Sequence, residues 1–584
     1  MKEDERIIMS NDLNKNVREA YALWLEKAKG DPALIEELKK IEHDPDEIYD
    51  RFYTELQFGT AGLRGVIGAG TNRMNIYTVG RVTQGLADCI ASKGKSGKVA
   101  VSYDPRINSE LFARHAASVL AANGVTVYIT PVLEPTPVLS FMVRYYGCDA
   151  GIMITASHNP AKYNGYKCYG PDGCQMTDLY ADEVTAFVEK VDYFGTKKID
   201  FDEGVKSGRI LFTDDAMLEA YYAAVLARRI DPSIFEKCSL SVLYTPLNGT
   251  GNVPVRTVLS RMGVAADVVP EQEKPDGNFP TTPFPNPEFP KAFELGIKMA
   301  EKKPYDLILA TDPDADRAGI AVRDKDGVYR LMTGNEVGCM LLYYILSRKT
   351  ELGTLEKNPV AVESIVSSYL AAKVAEKFGC RMIRVLTGFK YIGEQIKLLE
   401  EKGEEDRFQF GFEESYGYLS GSYVRDKDAV FAAEMICETA AYCKSQGKTL
   451  LDFMQDIYKE FGVFRHKTIS AAFDGAAGME TMKNIMKTLR EKTPDTLSGM
   501  KVTAVSDYLH KTCRDIASGN VTPIDLPAAD VFAMTLENDC SLIIRPSGTE
   551  PKIKAYLNAC APTLEGADAI VALLEKEANT IFGA

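Results

Sequence analysis

Residues 306–317 read DLILATDPDADR, and the two halves of this stretch differ in character. The first half is an apolar run with the length of a buried strand, and the second half is a polar turn. The same order, a short β-branched run followed by a turn rich in Gly, Pro or Asp and then by a helical stretch, recurs from residue 98 and from residue 239. Strands that alternate with helices predict α/β domains, which bind ligands at the loops after the carboxyl ends of their strands.

The polar turn carries three carboxylates at alternate positions, Asp312, Asp314 and Asp316. Oxygen ligands with this spacing can converge on one hard cation, and they suit Mg²⁺. An EF-hand is excluded because its loop needs Gly at position 6 and Glu at position 12, where this chain has Arg317 and Arg323. The D-x-D-x-[TV] pattern of aspartyl-phosphate phosphatases is not met, because Asp316 stands where that pattern has Thr or Val, and Arg317 follows it. A solvated acidic loop remains the alternative, although three converging charges without a cation would repel one another.

A second turn of this kind, TASHNP at residues 155–160, follows the apolar run 150–154. A serine just past a strand end is expected to be exposed and held in a tight turn, which suits a nucleophile. Ser157 could equally cap a turn. No Gly-x-Ser-x-Gly elbow is present, so the sequence does not indicate a hydrolase triad.

Three other segments have the composition of ligand-binding loops. Residues 410–418, FGFEESYGY, combine carboxylates and a hydroxyl with glycines and aromatics, which suits sugar hydroxyls or a strand-to-helix turn with a capping serine. In residues 545–551, RPSGTEP, the fork of Arg545 and the neighbouring hydroxyls can form an anion nest or a plain turn. The glycines of residues 58–65, FGTAGLRG, allow the backbone and Arg64 to approach a phosphate closely.

The bulk properties exclude several classes of protein. A net charge of −14 disfavours nucleic acid as a partner, although a small anionic substrate stays possible. The 12 cysteines include no C-x-x-C pair and match no common zinc pattern, so we expect them to be reduced. No apolar run approaches the roughly 20 residues of a membrane span, and the polar N-terminus resembles no export signal. The expected location is the cytoplasm, without membrane attachment.

A chain of 584 residues is too long for one hydrophobic core and predicts several domains. Breaks in composition occur at residues 195–215, 270–290, 324–327 and 461–466. The second of these contains seven prolines and is predicted to be a long surface loop. The expected division is an N-terminal helical extension (1–45) and four domains (46–208, 209–325, 326–460 and 461–584).

Taken together and in their order along the chain, the five ligand-binding segments resemble the α-D-phosphohexomutase family over about residues 50–560. Residues 387–390, TGFK, and 410–418 are most similar to its phosphoglucomutase branch. The resemblance implies four domains around a central cleft, the first three α/β with mixed sheets and a smaller C-terminal α+β domain.

The resemblance also implies an intramolecular phosphotransferase of the isomerase class, a monomer or dimer that binds hexose phosphates. It would interconvert glucose 1-phosphate and glucose 6-phosphate through a phosphoserine and a glucose 1,6-bisphosphate intermediate, with Mg²⁺. Phe412 stands where the family often has Gly, so the resemblance does not fix the sugar. Phosphomannomutase, phosphopentomutase or phosphatase activity, or a non-catalytic sugar-phosphate sensor, stays open.

Carried onto this chain, the family pattern assigns Ser157 as the phosphorylated residue and as a metal ligand beside Asp312, Asp314 and Asp316. The residues implied near the reacting oxygens are His158, Lys167, Arg64 and Arg317, and Lys167 is our choice for moving protons. The implied substrate-binding residues are Thr60, Thr387, Gly388, Lys390, Glu413, Ser415, Lys427, Arg545, Ser547, Gly548 and Thr549.

Overall fold

The computed structural model of the protein describes residues 3–59, 62–94, 97–473, 475–547 and 552–583, with the backbone alone for 3–14 and 475–477. The chain divides into two compact units. The first comprises Met1–Leu331, Gly393–Glu405 and Gly417–Ala441, and the second comprises Met332–Ile392, Asp406–Tyr416 and Tyr442–Ala584. No helix within the described ranges is long and apolar enough to cross a membrane.

The N-terminal extension is helical, as the sequence predicts. Its helices are α1 (Glu3–Lys27), α2 (Pro32–Lys40) and α3 (Pro45–Phe52). Asp31 and Asp44 cap the second and third helices, each followed by a proline whose missing N–H is not needed there. Trp24 is 1% exposed and packs against the rings of Phe52, Tyr77, Tyr193 and Phe194. This aromatic cluster attaches the extension to the first α/β domain.

The first sheet has six strands: β1 (Gly62–Val66), β2 (Lys98–Tyr103), β3 (Thr126–Ile129), β4 (Ala150–Ile154), β5 (Tyr163–Tyr169) and β6 (Ile210–Phe212). Their order is β1-β5-β4-β2-β3-β6, in which β2 lies parallel to β3 and β4, and β5 lies antiparallel to β4 and β1. Strand β4 is buried throughout, as expected for a strand covered on both faces. The accompanying helices are α4 (Ile76–Ser92), α5 (Ser109–Ala122), α6 (Thr136–Tyr145), α7 (Asp178–Val188) and α8 (Phe201–Lys206).

The second sheet has the order β11-β10-β9-β7-β8. Its strands are β7 (Val242–Thr245), β8 (Ala266–Val268), β9 (Leu307–Thr311), β10 (Ala318–Arg323) and β11 (Tyr329–Met332). Strand β7 is parallel to β8 and β9, and β10 is antiparallel to β9. The helices are α9 (Asp215–Leu226), α10 (Ile234–Lys237), α11 (Asn252–Arg261), α12 (Pro270–Glu273) and α13 (Pro290–Ala300).

The proline-rich segment is not simply a surface loop, so that prediction is wrong in part. Pro270 and Pro290 begin helices α12 and α13, where a missing N–H removes no hydrogen bond. Between them Phe279 is buried at 1% exposure. The segment is therefore irregular but packed against the domain.

The chain continues through α14 (Gly334–Leu352), β12 (Val360–Ser364), α15 (Tyr369–Lys377), β13 (Arg381–Val385), α16 (Phe389–Glu400), β14 (Phe408–Glu413), β15 (Gly417–Leu419), α17 (Ala429–Ser445) and α18 (Leu450–Phe461). In the second unit β12 is the central strand, parallel to both β13 and β14. Helix α14, which contains the apolar stretch 337–346, is mostly buried.

The C-terminal domain is built on antiparallel strands in the order β16-β23-β22-β21-β18-β19-β20, with β17 paired to β18. Its elements are β16 (Val463–Ala472), α19 (Gly475–Glu491), β17 (Thr496–Leu497), β18 (Met500–Asp507), β19 (Thr512–Asp515), β20 (Val521–Pro523), β21 (Phe532–Leu536), β22 (Ser541–Pro546), β23 (Lys552–Ala561) and α20 (Leu564–Phe582). Side chains of α19 and α20 share one core with the sheet. The predicted fold class, three α/β domains with mixed sheets and a C-terminal α+β domain, is confirmed.

The three α/β domains share one arrangement of parallel strands. In each, the first strand lies between the second and the third, giving β3-β2-β4, β8-β7-β9 and β13-β12-β14. The third strand leads in turn to the serine segment, the aspartate segment and residues 414–416. Three of the predicted ligand-binding loops thus occupy equivalent positions at strand carboxyl ends.

Candidate active site

Ser157 lies in a tight turn directly after β4. Its backbone is left-handed, with φ 51°, and its N–H donates to Thr155 Oγ1 at 2.8 Å. The side chain is 3% exposed, so the expectation of an exposed serine is wrong. The hydroxyl faces the interior of the first unit.

Two side chains contact the Ser157 hydroxyl. Ser157 Oγ donates to Asp312 Oδ2 at 2.8 Å and lies 3.1 Å from His158 Nδ1. Burial, together with the charges of Arg317 and Arg64, holds the pKa of His158 well below its ordinary value. The imidazole is therefore neutral at neutral pH and has one nitrogen available as an acceptor.

Asp312, Asp314 and Asp316 form a compact, buried triad. Each is at most 2% exposed, and one carboxylate oxygen of each lies within 4.8 Å of the other two. Asp312 Oδ1 accepts the backbone N–H groups of Asp316, at 3.1 Å, and Arg317, at 3.0 Å, which closes the turn. The second oxygens, Asp314 Oδ1 and Asp316 Oδ1, are buried without a hydrogen-bond partner among the described residues. Buried unpartnered carboxylate oxygens fit a cation ligand set.

Two lysines pair with the triad. Lys167 Nζ, from β5, lies 2.8 Å from Asp314 Oδ2 and 3.1 Å from Asp316 Oδ2, and Lys427 Nζ lies 3.2 Å from Asp316 Oδ2. Burial lowers the pKa of Lys167, but the two carboxylates outweigh it and the pKa is raised overall. Burial alone would raise the pKa of Asp314, yet Lys167 holds it below its ordinary value. Lys167 is therefore an ammonium at neutral pH.

Arg317 and Arg64 lie near the same turn. Arg317 Nη1 is 2.9 Å from Glu288 Oε1, in the proline-rich segment. Arg64 belongs to β1, paired with Gly165 of β5, so its assignment to a loop is wrong. The glycine-rich segment becomes a strand from Gly62 onward, where a Cβ would lie 2.2 Å from the Tyr166 carbonyl oxygen.

Three side chains of this site were not predicted from the sequence. Thr136 donates to Asp314 Oδ2 at 2.8 Å, while Asp104 and Arg106 contact the serine turn. The D-P-R signal directly after β2 was visible only as a turn. Neither this turn nor Thr136 could be connected to Ser157 or Asp314 without knowing which strands are neighbours.

The second unit contains the predicted sugar and phosphate residues. Glu413 Oε1 accepts the Gly388 N–H at 2.7 Å, and Ser364 Oγ donates to Glu414 Oε2 at 3.0 Å. Arg545 contacts Tyr556, and Tyr556 belongs to a buried cluster with residues of both the third and the C-terminal domain. Lys390 is 8% exposed, and Thr387, Ser415 and Ser547 are half-buried.

The predicted site residues thus fall into three sets. The first unit holds Ser157, His158, Lys167, Arg64, Arg317, Lys427 and the aspartate triad, and the second holds Thr387, Gly388, Lys390, Glu413, Ser415, Arg545 and Ser547. Thr60, Gly548 and Thr549 lie outside the described residues.

Comparison with protein families gives three matches along the chain. Phosphoglucomutase/phosphomannomutase alpha/beta/alpha domain I matches residues 55–194, domain II matches 219–327, and domain III matches 333–461. Ser157, the aspartate triad and Glu413 fall within these three ranges respectively.

Two relatives that match most of this chain are both named phosphoglucomutase. A phosphoglucomutase of Staphylococcus haemolyticus is 37% identical over 509 residues, which cover 87% of this chain and 91% of the relative. A phosphoglucomutase of Staphylococcus aureus is 35% identical over 537 residues, 92% of this chain and 95% of the relative.

A solved structure shares the fold. The open form of parafusin from Paramecium, an exocytosis-sensitive phosphoprotein described as a phosphoglucomutase, superimposes with a TM-score of 0.68 at 18% identity, over 91% of this chain and 96% of that one. The chain therefore belongs to the phosphoglucomutase/phosphomannomutase family of α-D-phosphohexomutases and is a mutase of the isomerase class.

Proposed function

We propose that this mutase interconverts glucose 1-phosphate and glucose 6-phosphate through a phosphorylated Ser157 and a glucose 1,6-bisphosphate intermediate. The observation that carries the proposal is the 2.8 Å contact between Ser157 Oγ and Asp312, one of three converging buried carboxylates. The preference for glucose is supported by relatives at 35–37% identity that are named phosphoglucomutases.

Asp312, Asp314 and Asp316 are proposed to hold Mg²⁺, together with an oxygen of the Ser157 phosphate. Their hard oxygen donors, two of which lack a partner in the described structure, suit that ion. The bound ion would supply positive charge that offsets the negative charge of the phosphoryl oxygens.

The chain's own residues position the reacting oxygens. In the forward half-reaction the bond from Ser157 Oγ to phosphorus breaks, and the sugar's free hydroxyl oxygen bonds to phosphorus in its place. His158 holds the Ser157 oxygen, and Arg64 and Arg317 supply guanidinium groups for the transferring phosphoryl oxygens. We assign proton transfer to Lys167, the ammonium that pairs with Asp314 and Asp316. It would give a proton to Ser157 Oγ as that oxygen leaves phosphorus, and the amine so formed would take the proton of the attacking sugar hydroxyl.

The remaining residues are proposed to bind the substrate. Glu413 and Ser415 would accept and donate hydrogen bonds to sugar hydroxyls, and Arg545 and Ser547 would hold the phosphate that does not react. The intermediate must turn around so that its second phosphate faces Ser157, so these contacts must serve both orientations of one sugar. We assign the supporting substrate contacts to Thr60, Thr387, Gly388, Lys390, Lys427, Gly548 and Thr549.

The proposal extends to the setting of the enzyme. We propose that it acts in the cytoplasm on free hexose phosphates, a compartment in which its 12 cysteines would stay reduced. The domain boundaries at residues 46, 209, 326 and 461 are retained as proposed limits.

The covalent step is tested on Ser157 itself. Intact-mass analysis after incubation with glucose 1,6-bisphosphate should show one phosphate, mapped to Ser157. Ser157→Ala should lose nearly all mutase activity, whereas the exposed control Ser92→Ala should keep it. Retention of more than about a tenth of the activity by Ser157→Ala would contradict the covalent mechanism.

The substrate and the metal are tested with the wild-type enzyme. Glucose, mannose, glucosamine and ribose 1-phosphates, each with Mg²⁺ and catalytic glucose 1,6-bisphosphate, should rank glucose first by kcat/KM. Release of inorganic phosphate in place of an isomer would indicate a phosphatase. Chelation should abolish turnover and Mg²⁺ should restore it, and full activity after exhaustive chelation would remove the metal from the proposal.

A further inference from the structure

The turn Asp104-Pro105-Arg106 follows β2, the strand beside β4, and both of its charged side chains are fully buried. Asp104 accepts hydrogen bonds from the Arg106 N–H at 2.9 Å, from Ser109 Oγ at 2.7 Å and from Thr155 Oγ1 at 2.6 Å. Its Oδ2 also lies 3.3 Å from Arg106 Nε. Asp104 is therefore satisfied on both oxygens and links the turn to the residue that starts the serine segment.

The guanidinium of Arg106 grips the backbone of the serine turn. Nη1 donates to the carbonyl oxygens of Pro160 and Tyr163, both at 3.0 Å, and Nη2 donates to those of Ser157 and Asn159. One side chain thus holds four carbonyls within seven residues. A planar five-donor fork can satisfy such a set, and the single ammonium of a lysine cannot.

The proline-rich segment closes this arrangement from outside. The Phe279 ring centroid lies 5.0 Å from Arg106 Cζ. A Cβ on Gly277 would lie 2.6 Å from both the Ile107 nitrogen and the Pro105 carbonyl oxygen, so only glycine allows the segment to pack this closely. Arg106 is therefore enclosed and has few alternative positions.

Both side chains act on the residue that carries the nucleophile. Thr155 Oγ1 donates to Asp104 and accepts the Ser157 N–H at 2.8 Å, so Asp104 fixes the N-terminal side of Ser157. Arg106 fixes its carbonyl, and Ser157 between them has the left-handed φ of 51° that a serine rarely adopts. We propose that Asp104 and Arg106 are positioning residues that hold Ser157 in the orientation required for phosphoryl transfer. The inference rests on the proposed role of Ser157.

The proposal predicts a defect in the chemical step of folded enzyme. Arg106→Lys keeps the charge and loses the fork, and Asp104→Asn keeps the shape and loses the charge. Each should lower kcat about 100-fold while KM changes less than about threefold, because misplacement of a reacting group by about 1 Å has effects of that size. The concentration of Mg²⁺ giving half-maximal activity should stay within about twofold, since neither residue belongs to the triad.

Arg73→Lys is the matched control. Arg73 is also buried, at 7% exposure, and also bonds backbone carbonyls, those of Asp50 at 3.3 Å and Asn72 at 2.9 Å, away from the serine turn. It should lower the melting temperature without lowering kcat at a temperature where the protein is folded. Single-turnover transfer from isolated phosphoenzyme to sugar phosphate should be slow in the Arg106 and Asp104 variants and normal in the control.

The outcomes separate this inference from the proposed function. Activity in Ser157→Ala would end the proposed function, whereas an inactive Ser157→Ala beside Arg106→Lys and Asp104→Asn with kcat within twofold of wild type would overturn only the positioning role. The variants are also compared with the wild type at a temperature about 10 °C lower. If their kcat equals that of the wild type there, Asp104 and Arg106 only stabilise the fold, and the inference is also overturned. Failure of both variants to fold would have the same meaning.

Discussion

Replacement of Lys167 by Gln tests the charge balance of the aspartate triad. The Lys167 side chain is 12% exposed, and its ammonium lies 2.8 Å from Asp314 Oδ2 and 3.1 Å from Asp316 Oδ2. Glutamine keeps much of the length but none of the charge. The two buried carboxylates then lose the cation that they share, and this loss should lower the free energy of unfolding.

Breaking a buried ion pair by removing one partner lowers the free energy of unfolding by about 3–5 kcal/mol. Asp316 keeps Lys427 at 3.2 Å, whereas Asp314 keeps the Thr136 hydroxyl at 2.8 Å and no ion pair within 4 Å among the described residues. Only one carboxylate is thus left without a cation, so the expected loss of unfolding free energy is at the lower end of this range, about 3 kcal/mol. For a domain of this size that corresponds to a melting temperature lower by about 6–12 °C.

The assay is thermal unfolding in a chelator and in a series of Mg²⁺ concentrations. A cation at 100 times its dissociation constant stabilises the native state by about 2.7 kcal/mol. Lys167 places a positive charge against Asp314 and Asp316, which weakens the attraction of the triad for Mg²⁺. The ion should therefore raise the melting temperature of Lys167→Gln more than that of the wild type and recover most of the loss.

Lys397→Gln is the control for the loss of one lysine charge. Its Nζ lies 3.4 Å from Asp172 Oδ2, with side chains 45% and 22% exposed, so the pair contributes less than about 1 kcal/mol. Two results would refute the reasoning about the triad. One is a melting temperature for Lys167→Gln within about 2 °C of wild type in chelator, and the other is an equal response of both proteins to Mg²⁺.

Three other predictions concern single residues. Arg545→Ala should lower kcat/KM by about 10- to 100-fold, because charge-assisted hydrogen bonds are worth about 1.5–3 kcal/mol each. It should also raise the concentration of glucose 1,6-bisphosphate that is needed for full activity. Unchanged kinetics would show that residues 545–551 form only a structural turn. Burial lowers the pKa of His115 to about 4, so stability should fall as the pH falls from about 6.5 towards 4, by up to about 3 kcal/mol. In a plot of melting temperature against pH, His115→Gln should remove the fall between pH 6.5 and 4, and the exposed control His43→Gln should not. Burial raises the pKa of Glu134 to about 8, so stability should fall as the pH rises from about 4.5 towards 8, and Glu134→Gln should remove this slope; a slope unchanged in the variant would show that Glu134 is ionised in the native state.

Much of the site could be predicted because its motifs are local. The three aspartates lie within five residues of one another. The turn that brings them together is closed by nearby backbone N–H groups, which donate to the Asp312 carboxylate. The serine was placed correctly after a strand, but its burial was not foreseen. Its hydroxyl contacts Asp312, which is 155 residues away in the sequence.

The contacts that sequence reasoning missed join distant segments. Arg106 bonds carbonyls some 50 residues away, and Thr136 reaches Asp314 across 178 residues. A backbone carbonyl as partner leaves no trace in residue types, so the pairing with residues 157–163 has no signal in the sequence. The proline-rich segment was misjudged for a related reason, since composition excludes helix interiors but does not exclude a buried Phe279.

The equivalence of the three loops was also invisible in the sequence, although it is plain in the backbone. Each loop follows the third parallel strand of its domain, and each contains a non-glycine residue with positive φ: Ser157 at 51°, Ala315 at 48° and Tyr416 at 67°. The left-handed residue turns the chain at the end of the strand, the place where α/β domains bind their ligands. The residues that occupy the turn differ: a hydroxyl in the first domain, carboxylates in the second, and a glutamate with a serine in the third. Because the backbone repeats while the residues differ, the loops share geometry without a legible repeat, and one fold supplies three different functional groups.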